Sequence, residues 1–182
     1  MAYDGGTYFA KIQNVNFDAA HFVPGHPKCG RLHGHTYKID AGFYGQPDKL
    51  GMVADFGVLR AVLKEIADQF DHKTIVPLSH AHSKMTGTWT VHLPSGGQLV
   101  LDTTECHPMN LPPTAENLAG LIWHQTVILL AERNVRTITR ICVDVYEGLN
   151  KHASYERFVP ISIIPVGQEL HIQQELKPRE AL

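Results

Sequence analysis

With 182 residues, 43% of them hydrophobic and 19% charged, the chain has room for one well-buried core, and its composition excludes a disordered or fibrous protein. A formal net charge of −2 leaves no broad cationic face for a nucleic-acid backbone, and no apolar run approaches the ~20 residues of a membrane-spanning helix. Three widely spaced cysteines argue against a disulfide framework; with no signal-peptide pattern in MAYDGGTYFAKIQ, a reducing cytoplasm is the expected setting.

Residues 7–22, TYFAKIQNVNFDAAHF, carry β-branched and aromatic side chains in partial alternation and read as a strand, as does HTYKIDAGFYG at 35–45. Asp55 is placed to cap a helix whose Phe56, Leu59, Leu63, Ile66 and Phe70 recur at helical spacing. Residues 75–110 read as an insertion, with TGTWTVHLPSGGQLVLD (86–102) as a hairpin turned at Pro94-Ser95-Gly96-Gly97. A second helix starts at LPPTAENL with Thr114 as cap and a stripe of Leu118, Leu121, Ile122, Gln125, Ile128 and Leu129. Strands follow at 136–148 and 155–165, and then a polar tail. The order ββααββ predicts an α+β fold with both helices on one face of an antiparallel sheet, in a single domain over 1–182.

Twelve histidines make a metal worth seeking. His33 and His35 are two apart at a predicted strand start, so both imidazoles leave the same face. His21 ends the preceding strand, and the loop over 22–32 brings the chain back beside it. Three neutral imidazoles with one open position is the pattern of a catalytic zinc site, whereas closed structural sites take four ligands, usually including thiolates. Cys29, in a Gly/Pro loop four residues before His33, fits either a fourth ligand or a group standing beside an open position, and spacing does not choose. His80 and His82 repeat the spacing without an apparent third ligand and are assigned no metal; Cys106 and Cys142 are read as passive.

FDAAH (17–21), CGRLHGHTYKI (29–39), VADFGVLRAVL (53–63), FDHK (70–73), PTAENLA (113–119) and VYEG (145–148) resemble, in order, the motifs of the 6-pyruvoyl-tetrahydropterin synthase / 6-carboxytetrahydropterin synthase family. The likeness spans residues 7 to about 160 except for the insertion, which is longer than in typical members. It implies the tunnelling fold, whose subunits join their sheets into a barrel, and a homohexamer with active sites at subunit interfaces. It also implies zinc on His21, His33 and His35, Cys29 as thiol base, and Asp71 with His72 as a proton-relaying pair. Glu147 would anchor the pterin, with Thr114 and Glu116 as further ring contacts. A thiol takes a carbon-bound proton only as thiolate, and the zinc or Lys28 would supply the cation that favours it.

The implied substrate is the small molecule 7,8-dihydroneopterin triphosphate. Members with a cysteine eliminate triphosphate to a 6-pyruvoyl product or also release acetaldehyde to leave a 6-carboxyl group. Three residues separate Cys29 from His33, as in the bacterial 6-carboxytetrahydropterin enzymes of 7-deazapurine (queuosine-type) biosynthesis, while the pyruvoyl enzymes resemble a longer loop. The expectation is therefore the 6-carboxy reaction, with the 6-pyruvoyl reaction as alternative. Rival readings are a closed Cys/His zinc module, and a relative acting on another purine or pterin.

Overall fold

Alternation along the first strand sets the main division of the molecule. In the computed structural model, which describes residues 6–84 and 87–160, β1 (Tyr8–His21) buries Ile12, Val15, Phe17, Ala19 and His21 on one face. β2 (His33–Gly45) pairs with it antiparallel, from Tyr8 opposite Gly45 to His21 opposite His33. A bulge at Gln13–Asn14 adds a residue while keeping the apolar side chains on one face. Asn14 takes the left-handed conformation there, and its N–H donates to Asp40 at 3.0 Å. β8 (Ile138–Glu147) and β9 (His152–Phe158) continue the antiparallel array.

Both helices begin at the expected caps. Asp55 accepts from the Val58 N–H at 3.1 Å ahead of α1 (Phe56–Asp68), and the Thr114 hydroxyl accepts from the Asn117 N–H at 3.3 Å ahead of α2 (Ala115–Glu132). Leu59, Leu63 and Ile66 of α1 and Leu118, Ile122 and Trp123 of α2 share one apolar core with Phe17, Ile39, Phe43, Val143 and Val145 from the sheet. Each such side chain contributes roughly 1.5–3 kcal/mol on burial, so a one-residue slip of β1 against β2 would expose a costly set.

The sheet departs from the expected antiparallel ββααββ arrangement. β3 (Lys73–Pro77) and β7 (Cys106–Met109) run parallel to β1, and the strand order is β7-β3-β1-β2-β8-β9. The two ends of the insertion thus extend a mixed sheet. At five and four residues, these strands are too short to show periodicity, and Pro108 is tolerated because β7 is an edge. The expected hairpin exists as β5 (Thr88–His92) and β6 (Gln98–Asp102), turning through Leu93–Gly97. A further strand, β4 (Ala81–Lys84), joins it in a separate three-stranded sheet. That sheet packs through Ala81 and Val91 on Phe22, Val76 and Cys106.

The last strand runs from His152 to Phe158; residues 161–165 of the expected 155–165 strand, like the predicted polar tail, lie outside the described residues. The face of α2 is also rotated from expectation: Ala119, Trp123, Thr126, Val127 and Leu130 are buried, whereas Leu121 and Leu129 only border the core. Among the described residues no helix is long and apolar enough to cross a membrane.

Candidate metal centre and its surroundings

Strand pairing brings the three predicted histidines together. His21 and His33 are register partners, and His35 lies opposite Ala19, two positions along, so all three side chains leave the helix-covered face at the strand ends. Their ring centroids are 4.4, 5.0 and 5.2 Å apart, and one nitrogen from each lies within 4.8 Å of the others. His21 is buried, and His33 and His35 are half-buried.

Second contacts fix the tautomers. The His21 Nδ1 lies 2.7 Å from the Pro113 carbonyl and the His33 Nδ1 2.7 Å from the Arg31 carbonyl. A carbonyl only accepts, so both Nδ1 atoms carry protons and both Nε2 atoms present lone pairs. Those two Nε2 atoms face each other at 3.1 Å. Burial lowers the pKa of His21 to about 4, with the Pro113 hydrogen bond opposing and the neighbouring imidazoles adding to the effect. Burial likewise lowers that of His35, against the pull of the Glu147 carboxylate. Neutral imidazoles with opposed lone pairs at this separation repel unless a cation lies between them. Tetrahedral zinc, with Zn–N near 2.0–2.1 Å, holds pairs of nitrogens about 3.3 Å apart. The donor set therefore fits such an ion.

Among the described residues the Cys29 sulfur is not a member of this metal-binding group. Its loop leaves β1 and closes back through the Val23 N–H, which donates to the Cys29 carbonyl at 2.7 Å. Glu147 pairs across β2 with Tyr37, and the charges of both Glu147 and Cys29 act on the Tyr37 hydroxyl, so they lie around the same end of the sheet. Thr114 caps α2 next to Pro113, which ties it to the metal centre. Glu116 is exposed in the first turn of that helix, and Lys28 is exposed beside Cys29.

Asp71 and His72 do not join the cluster within this chain. The His72 Nδ1 lies 2.9 Å from Asp71 Oδ2, the Asp18 N–H donates to Asp71 Oδ1 at 2.8 Å, and the His72 N–H donates to the Asp18 carbonyl at 2.7 Å. The Asp18 N–H contact is the main reason the Asp71 carboxyl sits below the usual range, with His72 adding to it. His72 is exposed in a left-handed conformation and borders a hollow of about 510 Å³ with Asp18, Ala20, Gly34 and Thr36. Those four positions alternate with the ones that carry the metal-facing imidazoles; His35 also borders the hollow. The pair thus belongs to the opposite side of the sheet, which sequence order alone does not reveal.

Sequence reading missed Tyr37. Its ring is wholly buried, stacks on Phe17 at 4.9 Å and meets His21 and His35 edge-on at 5.8 and 5.5 Å. The hydroxyl is enclosed without a hydrogen-bond partner, and burial holds it well above the usual phenol range. The available signal was its position two residues after His35, on the same face.

Comparison with known proteins gives the family and the fold. The family model described as 6-pyruvoyl tetrahydropterin synthase matches residues 12–157. A Rickettsia felis protein named 6-carboxy-5,6,7,8-tetrahydropterin synthase is 37% identical over 110 residues, covering 59% of this chain and 72% of its own. A Methanocaldococcus jannaschii protein given the same name provisionally is 29% identical over 151 residues, 81% of this chain and 93% of its own. The Plasmodium falciparum 6-pyruvoyl tetrahydropterin synthase structure superposes with a TM-score of 0.74 over 84% of this chain and 99% of that one. At 19% identity this is a likeness of fold.

Proposed function

Because the chain belongs to the 6-pyruvoyl tetrahydropterin synthase family, a family of enzymes, we propose that it is a zinc-dependent 6-carboxy-5,6,7,8-tetrahydropterin synthase. Residues 1–182 would form one synthase domain that converts 7,8-dihydroneopterin triphosphate to 6-carboxytetrahydropterin, acetaldehyde and triphosphate, in the cytoplasm and toward 7-deazapurines. The observation that carries the metal-dependent part is the pair of opposed Nε2 lone pairs 3.1 Å apart, with His35 beside them. The choice of product rests on the three-residue spacing from Cys29 to His33 and on the names of the curated relatives.

His21, His33 and His35 would hold the zinc, which supplies Lewis-acid polarisation of oxygens on the substrate side chain. Cys29 accepts the carbon-bound proton as thiolate, with Lys28 nearby as a cation. Glu147 offers two acceptor oxygens to the adjacent N–H donors of the pterin edge, a charge-assisted pairing, and Thr114 and Glu116 flank the ring. Asp71 orients His72 through its Nδ1 and leaves Nε2 free to shuttle a proton. Since this pair lies across the sheet from the zinc ligands, it serves the site of a neighbouring subunit, in keeping with a homohexamer whose active sites lie at subunit interfaces.

The deciding experiment incubates zinc-loaded protein with 7,8-dihydroneopterin triphosphate and identifies products by mass spectrometry. Acetaldehyde with 6-carboxytetrahydropterin is expected; a 6-pyruvoyl product without acetaldehyde would replace this reading by the triphosphate elimination alone.

A further inference from the structure

The loop that carries Cys29 is held by a side chain with no part in the chemistry proposed above. The His26 Nδ1 accepts the Cys29 N–H at 2.8 Å and the Lys28 N–H at 3.3 Å. Its backbone closes the same turn: the His26 N–H donates to the Val23 carbonyl at 3.2 Å, and the His26 carbonyl accepts the Gly30 N–H at 2.9 Å. A backbone amide only donates, so Nδ1 is the unprotonated nitrogen of this ring. That is the reverse of the tautomer His21 and His33 adopt. The ring does what a Ser, Asp or Asn side chain does at a helix start, giving two amides that would otherwise turn to water an acceptor within the chain.

Close packing makes the turn specific. A Cβ on Gly30 would lie 2.6 Å from the His26 carbonyl oxygen, so the residue after Cys29 must be glycine for the chain to pass there. With the amides at 28 and 29 tied to the ring and the amide at 30 tied to the backbone, little freedom remains in how the thiol is presented.

We infer that His26 is a positioning residue for Cys29: its imidazole clamps the 26–30 turn and thereby sets where the sulfur stands. The inference rests on the reading of Cys29 as the catalytic thiol, but the clamp itself can be tested without turnover.

The test uses full-length, zinc-loaded protein as wild type, His26→Ala and His26→Asn; the asparagine oxygen can accept the same amides. Two quantities are measured: the rate of iodoacetamide modification at Cys29, resolved by peptide mass spectrometry, and kcat and KM with 7,8-dihydroneopterin triphosphate. Cys106 and Cys142 serve as internal references, since burial pushes both thiols up to about 11. The alanine variant should change the Cys29 modification rate and lower kcat by about tenfold each, the order of a lost cap. KM should stay within about twofold, zinc content should be unchanged, and asparagine should restore both quantities to within about threefold.

Wild-type modification and kcat in His26→Ala, or an asparagine variant as impaired as alanine, would overturn the inference. So would faster modification of Cys106 and Cys142 together with Cys29, which marks general loosening. Full turnover by Cys29→Ser would remove the catalytic reading of the thiol, yet the modification rates would still decide whether His26 holds the loop.

Discussion

The chain contains His-x-His at 33–35 and again at 80–82, and the two copies end in different surroundings. The first lies on a long strand, so both rings share a face, and the register partner of one of them is a third histidine. Carbonyls of Pro113 and Arg31 then turn two Nε2 atoms toward a common point. The second begins in a short 3₁₀ turn (Leu78–His80) and continues into β4. There His80 packs on Phe22 and contacts the Ser79 hydroxyl, whereas His82 meets His92 of β5. Spacing is the same in both; a ligand set also needs a continuous strand, a partner in register and acceptors for the far nitrogens.

The sharpest way to break this comparison is to remove one imidazole from each copy. His33→Ala or His21→Ala should reduce bound zinc from about one per chain to near none by elemental analysis, and turnover should fall by at least ~10³-fold, about 4 kcal/mol of barrier. His80→Ala and His82→Ala should leave both unchanged. Loss of zinc from His82→Ala as complete as from His33→Ala would erase the distinction.

The thiols offer a second contrast. Cys29→Ala should lower kcat by about 10²–10⁴-fold with zinc retained, the range for removing a proton-transfer group. Cys106→Ala and Cys142→Ala should stay within about threefold of wild type. Zinc loss in Cys29→Ala would instead make the sulfur a ligand.

A smaller effect concerns the metal-free protein. His21 is neutral when folded down to about pH 4, against 6.5 for an ordinary histidine. In that window the unfolded chain binds the extra proton, so this residue destabilises the fold progressively as pH drops from about 6.5 to about 4, by up to ~3 kcal/mol. Denaturant titrations should show wild type losing stability across this range more steeply than His21→Gln. Parallel pH profiles for the two would show that the buried ring is not the cause.

Much of this was legible in sequence because it depends on local chemistry and on alternation. Asp55 and Thr114 announce their helices, Pro94 to Gly97 announce a turn, and the two-residue spacing puts His33 and His35 on one face with His21 at the end of the neighbouring strand. The parallel strands were not legible, since four or five residues such as CHPM carry no period. The face of α2 was hidden by a helix apolar nearly all round, where any stripe looks acceptable. Asp71 and His72 do contact each other, but their side of the sheet depends on β3 running parallel beside β1, a fact about topology and not composition.

The smallest effect separates the two helix caps. Asp55→Ala and Thr114→Ala each remove one side-chain acceptor from a first turn, so each should cost about 1 kcal/mol in denaturant unfolding. Only Thr114 adjoins Pro113, whose carbonyl holds the His21 Nδ1–H. Fraying at the start of α2 would loosen that carbonyl and let the His21 ring rotate, whereas fraying at α1 touches no ligand. Zinc affinity, measured by competition with a chromophoric chelator, should therefore weaken by about three- to tenfold in Thr114→Ala and not in Asp55→Ala, at the low end of what losing an outer-shell partner costs. Equal affinities in the two variants would mean that Pro113 is held by its own surroundings, and that the cap of α2 serves the helix alone.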